Sequence, residues 1–201
     1  MLGLLKLKEL RSLRLRHGFP LLIRDADAVR FSSSFPKFVE LDLNSYPMFY
    51  QQPKLTLGSL LPFSKNCPTL RTLGLFVDTR RSDSLLDTLS SRFEALRTLN
   101  FGRSLVSTEA SLHVTRLLSV MVPESNDFQL FPASPGNIIL DLDKESSEYR
   151  NYKVDTSWAA VDSALRQLWI ENALERASQS GSPSVIHSIR AVTNGDAWLP
   201  T

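Results

Sequence analysis

The side chains able to do covalent or metal chemistry are few in this chain. It has one thiol, Cys67, and three imidazoles, His17, His113 and His187. None of the three histidines lies beside another His, a Cys or a carboxylate at a spacing that would ligate zinc. A hydroxyl or thiol nucleophile needs an adjacent base and an orienting group, and no such arrangement is visible. The chain contains no G-x-S-x-G elbow, no phosphate-cradling glycine loop and no H-E-x-x-H. Asp141, Asp143, Glu145 and Glu148 cluster, but without the glycine and ligand spacing of a calcium loop, and they read as a solvated strand end. The expectation is therefore a protein that is not an enzyme, with no catalytic residues, no metal and no cofactor.

The elements that would position any functional side chain come from a repeated spacing. Leu7, Leu10, Leu13 and Leu15 follow the pattern apolar-x-x-apolar-x-x-apolar-x-apolar. Phe35, Phe38, Leu41 and Leu43 follow it again, as do Cys67, Leu70, Leu73 and Leu75, and Phe93, Leu96, Leu99 and Phe101. Cys67 thus occupies a slot filled elsewhere by Leu or Phe, where a buried thiol acts as a small hydrophobe. The third positions are 28, 32 and 26 residues apart; leucine-rich repeats run about 20–29 residues. The last two apolar positions alternate with polar residues, as in a strand with one buried face. Strands are predicted at Ser12–Leu15, Glu40–Leu43, Thr72–Leu75 and Thr98–Phe101, parallel and in that order.

Segments between the templates read as helices: Leu57–Asn66, stopping at Cys67-Pro68 as helices do before proline; Ser82–Arg92; and Thr108–Val122, with Thr108 as N-cap. Repetition of strand and helix requires a parallel sheet. The fold class predicted is α/β, a leucine-rich-repeat solenoid with parallel strands on the concave side and helices on the convex side, over residues 1–150. A fifth strand is predicted at Asn137–Leu142, after a connection spanning Pro123–Gly136, making the last repeat irregular. Asp155–Ala177 reads as an amphipathic helix with Trp158, Val161, Leu165 and Leu168 on one face and Trp169 beside it. Residues 151–179 are read as a C-terminal helical cap, and residues 180–201 are an unassigned tail. Repeat arrays need caps, and Met1–Leu7 offers none, so Leu4, Leu5 or Leu7 should be more exposed than their counterparts.

No stretch approaches the ~18 apolar residues of a membrane span, and no signal-peptide pattern is present. One cysteine permits no internal disulfide, and there is no N-x-[ST] acceptor. A cytoplasmic or nuclear location is expected. Net charge is +2, divided between +6 for residues 1–100 and −4 for residues 101–201. That gradient argues against nucleic acid, whose binders carry a continuous basic face. Lys6, Lys8, Arg11, Arg14 and Arg16 cluster in the first repeat, where they read as solvent-facing positions.

Cys67-Pro68-x-Leu70-x-x-Leu73-x-Leu75 and its three sister repeats resemble the leucine-rich repeats of F-box proteins. The longer phrase Leu61-Pro62-Phe63-Ser64-Lys65-Asn66-Cys67-Pro68, then Leu70 and Leu73-Gly74-Leu75, looks most like the arrays of F-box-type proteins from mushroom-forming fungi. The resemblance covers roughly residues 7–142. It implies the substrate-recognition arm of a ubiquitin ligase, in which an F-box ahead of the repeats contacts an Skp1-type adaptor and the repeats hold the target. The first repeat here begins at Leu7 and leaves no room for an F-box. The sequence therefore reads as a fragment, a truncated product, or a repeat protein acting without the ligase; the alternative function is a scaffold or adaptor unrelated to ubiquitin.

With Leu13 and Leu15 inward, alternation sends Ser12, Arg14 and Arg16 to the concave face. The same register adds Glu40, Asp42 and Asn44, then Thr72, Gly74 and Phe76, then Thr98, Asn100 and Gly102, with Asp141 and Asp143 closing the series. Arg14, Arg16, Glu40, Asp42, Asn44, Phe76 and Asn100 are the candidate contacts for a protein or peptide partner, Phe76 being the expected aromatic anchor. The alternative site is Tyr46, Phe49 and Tyr50, in the stretched 32-residue interval, which either pack over the adjacent repeat or form an exposed patch.

Overall fold

The computed structural model describes residues 7–49, 51–80, 91–125, 127–131 and 157–179. Five strands, β1 (Ser12–Leu15), β2 (Glu40–Leu43), β3 (Thr72–Leu75), β4 (Thr98–Asn100) and β5 (Gln129–Phe131), form one parallel sheet in chain order. Pairing aligns Leu13, Leu41, Leu73, Leu99 and Leu130 across the strands. These leucines, with Leu43, Leu75 and Phe101, face a core shared with four helices: α1 (Asp25–Ser34), α2 (Leu60–Asn66), α3 (Thr108–Met121) and α4 (Ser157–Gln179). A 3₁₀ turn, Leu57–Ser59, leads into α2, so the segment read as one helix from Leu57 is wound more tightly over its first three residues.

Local chemistry sets the ends of these elements. α1 begins with Asp25 and Asp27, whose charge suits the exposed N–H groups of a first turn, and Asp27 accepts the backbone N–H of Arg24 at 3.0 Å. It stops at Phe35-Pro36, and α2 stops at Cys67-Pro68; a residue preceding proline is driven out of the helical region. α3 is capped by the Ser107 hydroxyl, which accepts from the Ala110 N–H at 3.2 Å. The cap therefore lies one residue earlier than the sequence reading placed it. Asp25 also binds the N–H and hydroxyl of Thr56 at 2.8 and 2.7 Å, tying α1 to the turn before α2.

Two expectations change. The fifth place in the sheet is held by Gln129–Phe131, inside the segment read as a connection; Asn137–Leu142 lies outside the described residues, as do residues 82–90 of the helix expected at Ser82–Arg92. The fourth strand ends at Asn100, because the chain turns left-handed at Gly102, φ +52°. The long helix runs Ser157–Gln179 and packs on α3, with Trp158, Val161 and Leu165 buried. Trp158 stacks on Phe101 at 4.7 Å and donates its indole N–H to the Ser104 carbonyl at 2.8 Å, which satisfies the polar atom of a buried tryptophan.

The 32-residue interval contains a crossing. At the end of β2, Asn44 takes a left-handed conformation, φ 56°, which Asn tolerates better than most residues. The chain then passes the end of β3 to reach the chain beyond β4. The Ser45 carbonyl accepts the Arg103 N–H at 2.9 Å, and the Arg103 guanidinium donates to the carbonyls of Pro47 and Met48 at 2.8 and 3.1 Å. Gly102 must be glycine here: a Cβ on it would lie 1.7 Å from the Ser45 oxygen.

At the β1 end the packing thins. Leu7 is 50% exposed, whereas its template counterparts Phe35, Cys67 and Phe93 are buried. Leu10, Leu13 and Leu15 are only half-buried, and Leu22 is 73% exposed. Leu4 and Leu5 lie outside the described residues.

Candidate binding surface

The leucine side of the sheet belongs to the core, so functional side chains must come from the opposite face or from the loops at the strand ends. Register places two rows across the open face. Ser12, Glu40, Thr72, Thr98 and Gln129 form one; Arg14, Asp42, Gly74, Asn100 and Phe131 form the other. Adjacent members of a row stand ~4.8 Å apart, the strand spacing. A depression of about 130 Å³ lies among them, lined in part by Ser12, Arg14, Arg16, Glu40, Thr72 and Asn100.

Electrostatics divides the face. Asp42 is 8% exposed, with one oxygen accepting from the Ser45 N–H at 3.0 Å and the other paired with Arg16 at 3.0 Å. It fits because its neighbour is Gly74, where an added Cβ would sit 2.8 Å from the Asp42 carboxyl carbon. Arg16 also lies over the Tyr46 ring, 5.8 Å from its centroid, a cation–π distance. Glu40 is exposed and accepts a hydrogen bond from the Ser12 hydroxyl at 3.3 Å. Arg14 is exposed and, among the described residues, makes no ion pair or side-chain hydrogen bond.

Two expected contacts are not on this surface. Asn44 is buried: its carbonyl oxygen accepts the His17 N–H at 2.9 Å and its amide donates to the Phe19 carbonyl at 2.8 Å. Its left-handed backbone breaks the alternation that pointed it outward. Phe76 is 4% exposed; it follows the last residue of β3, where the two-residue period no longer applies. The exposed aromatic of the face is Phe131, 44% exposed and in register with Asn100. Asn100 is half-buried, its side-chain oxygen accepting the Gly102 N–H at 2.8 Å. Gln129 and Phe131 stand where Asp141 and Asp143 were expected, and those two aspartates lie outside the described residues, so the described face ends neutral.

No family model, curated protein or solved structure matches the chain.

The loop alternative is both packed and partly open. Phe49 stacks on Phe19 at 4.7 Å, and its N–H donates to the Gly18 carbonyl at 2.8 Å. Pro47 is buried, Tyr46 and Phe49 are half-buried, and Met48 and Phe19 remain exposed. Tyr50 lies outside the described residues. Sequence reasoning missed Phe19 and Arg103; the cue for Phe19 was the His17-Gly18-Phe19-Pro20 turn following the first strand, while Arg103 reaches Pro47 across 56 residues of chain with no local signal.

The reactive groups are structural in their surroundings. Cys67 is buried, its thiol donating to the carbonyls of Phe35 and Ser32 at 3.6 and 3.7 Å, and burial pushes its pKa up to about 12. A thiol so held is not a nucleophile at neutral pH. The His17 ring lies 3.0 Å from the Phe19 carbonyl, and His187 is outside the described residues. Among the described residues, no three His, Cys, Asp or Glu side chains gather as a metal site needs, and no helix is long and apolar enough to cross a membrane.

Proposed function

We propose that the chain is a leucine-rich-repeat solenoid whose open, concave sheet face binds a protein or peptide partner, acting in the cytoplasm or nucleus as the substrate-recognition arm of an F-box-type ubiquitin-ligase subunit. The observation that carries the binding reading is the uninterrupted parallel register Leu13–Leu41–Leu73–Leu99–Leu130. It commits every strand's leucine to the core and leaves the alternating positions as a fixed ladder on the other side. A partner meeting Arg14, Glu40, Thr72 and Phe131 would find them already positioned, so little conformational entropy is lost by the sheet. Mixed charge with one exposed aromatic suits a protein surface better than a polyanion. The ligase role rests on the resemblance of the repeats; an Skp1-type adaptor enters only through an F-box on the same polypeptide.

The alternative is a scaffold or adaptor with the same binding face and no link to ubiquitin. Affinity capture from its source cells separates them: the ligase reading expects an Skp1-type adaptor among the captured proteins wherever an F-box lies on the same polypeptide, and the scaffold reading expects none. Changing Arg14, Glu40 and Phe131 together to alanine should abolish capture of the principal partner. Normal capture by that variant, with loss on changing Phe19, Met48 and Phe49, would move the site to the loop, where Phe19 and Met48 stand exposed.

A further inference from the structure

We propose that the outer edge of β1, which no strand of the described residues covers, is a second binding site, one that accepts an extended segment with alternating acidic and apolar residues as a sixth, outermost strand. The inference rests on backbone direction, leucine exposure and charge, and is independent of the sheet-face reading above. In a parallel pair, every second residue of a strand bonds to a given neighbour. The carbonyls of Arg11 and Leu15 accept from the β2 side, from the Val39, Glu40 and Asn44 N–H groups. The alternate residues, Ser12, Arg14 and Arg16, therefore turn their backbone groups to the outer edge, where the described residues supply no strand.

The apolar side of that edge is incomplete as well. Leu13 and Leu15 are half-buried, while their equivalents on β2 and β3 are sealed, and Leu7 is largely exposed beside them. A neighbouring strand would bring core-side residues over these leucines. Its other face would meet Arg14 and Arg16. The sheet contains one example of what satisfies this strand: β2, whose Glu40-Leu41-Asp42-Leu43 places leucines in the core, Glu40 at the Ser12 hydroxyl and Asp42 on Arg16. Ser12 and Arg16 are thus already engaged by β2, which leaves Arg14, without an ion-pair partner among the described residues, as the charge an added acidic strand would meet. A second copy of the chain is disfavoured, because two β1 edges would oppose arginine to arginine. Addition of an acidic strand meets no such repulsion, and main-chain hydrogen bonds would supply its affinity.

The test uses the full chain and a synthetic peptide with the sequence of residues 38–45, followed by fluorescence anisotropy and residue-resolved amide exchange. Binding should slow exchange at Ser12, Arg14 and Arg16 and leave Leu13 and Leu15, already bonded to β2, unchanged. The same peptide carrying Glu40→Lys and Asp42→Lys should bind at least about tenfold more weakly. Arg14→Glu in the protein should reverse that preference without altering the melt. Equal affinity for both peptides, no binding, or protection confined to other strands would overturn the proposal. So would slow exchange at Ser12 and Arg14 in the free protein, which would mean the chain closes this edge itself, or concentration-dependent self-association through β1. Loss of capture on changing Phe131 alone to alanine, at the far edge of the sheet, with peptide binding intact, would mark the two sites as separate.

Discussion

Gly102→Ala should be among the most damaging single-methyl additions in this chain, and its cost can be built from parts. The left-handed backbone at φ +52° costs a residue bearing a Cβ about 1–2 kcal/mol. The new methyl would also lie 1.7 Å from the Ser45 carbonyl oxygen, a separation no contact sustains, so the backbone at Ser45 must retreat. Retreat breaks the Arg103 N–H to Ser45 hydrogen bond and disturbs the guanidinium bonds to Pro47 and Met48, at about 1 kcal/mol each. The sum is about 4–5 kcal/mol, against a typical total stability of about 5–15 kcal/mol. Gly74→Ala provides the control. Its methyl meets the Asp42 carboxyl group, which can rotate away at the loss of the Ser45 hydrogen bond and the half-exposed Arg16 pair, or about 1–2 kcal/mol. Urea denaturation of the full chain followed by far-ultraviolet circular dichroism measures both. If the two variants lose the same stability within about 0.5 kcal/mol, the account of the crossing at Gly102 is wrong.

Three further outcomes follow from side chains already described. Leu73→Ala, at a fully buried position, should cost about 2–5 kcal/mol, whereas half-buried Asn100→Ala should cost about 1 kcal/mol, for one hydrogen bond to Gly102; equal losses in the same urea melts would place the register in error. Asp78 accepts from Gln52 and from the Arg80 backbone and guanidinium; burial pulls its pKa up, but these hydrogen bonds and the Arg80 charge outweigh it and hold the carboxyl below its ordinary value. Its contribution is thus complete above about pH 4 and is lost as pH falls through the lowered pKa, so Asp78→Asn should be less stable than wild type at pH 7 by about 1–2 kcal/mol, with the gap narrowing as pH falls below about 4; a gap that widens in acid would refute this. The Cys67 thiol should react with an aromatic disulfide reagent at pH 8 only as fast as the protein unfolds, and immediate labelling of the native chain would contradict its burial.

The first four strands were legible in the sequence because a strand with one buried face writes its period into the chain: Leu41 and Leu43, or Leu73 and Leu75, alternate with polar residues at fixed distances from Phe38 and Leu70. β5 was not legible because its two leading slots hold Glu124 and Asp127, and only Leu130 answers the template. Phe128 does the packing from a shifted position, against Trp169 at 5.8 Å. On the open face, Arg14 and Glu40 were correctly placed because alternation holds while backbone stays extended. Asn44 and Phe76 were not, since each lies one residue beyond the strand that was extrapolated. The accommodation of Asp42 by Gly74 depends on side-chain volume across strands, and the Arg103 bonds depend on contacts between distant segments. Neither has a local signature.

Stacked strand–helix units ordinarily hold only their immediate neighbours and so can fray one at a time from either end. The passage from Ser45 to Met48 removes that freedom from the middle of this sheet. Because it fastens the chain after β2 to the chain after β4, β3 cannot detach while both anchors hold, and β4 cannot leave without taking the passage with it. The three central strands should therefore open as one block, leaving β1 and β5 as the places where exchange with solvent begins. The five-stranded sheet of the described residues thereby gains a melting unit wider than a single strand, set by three hydrogen bonds from one arginine.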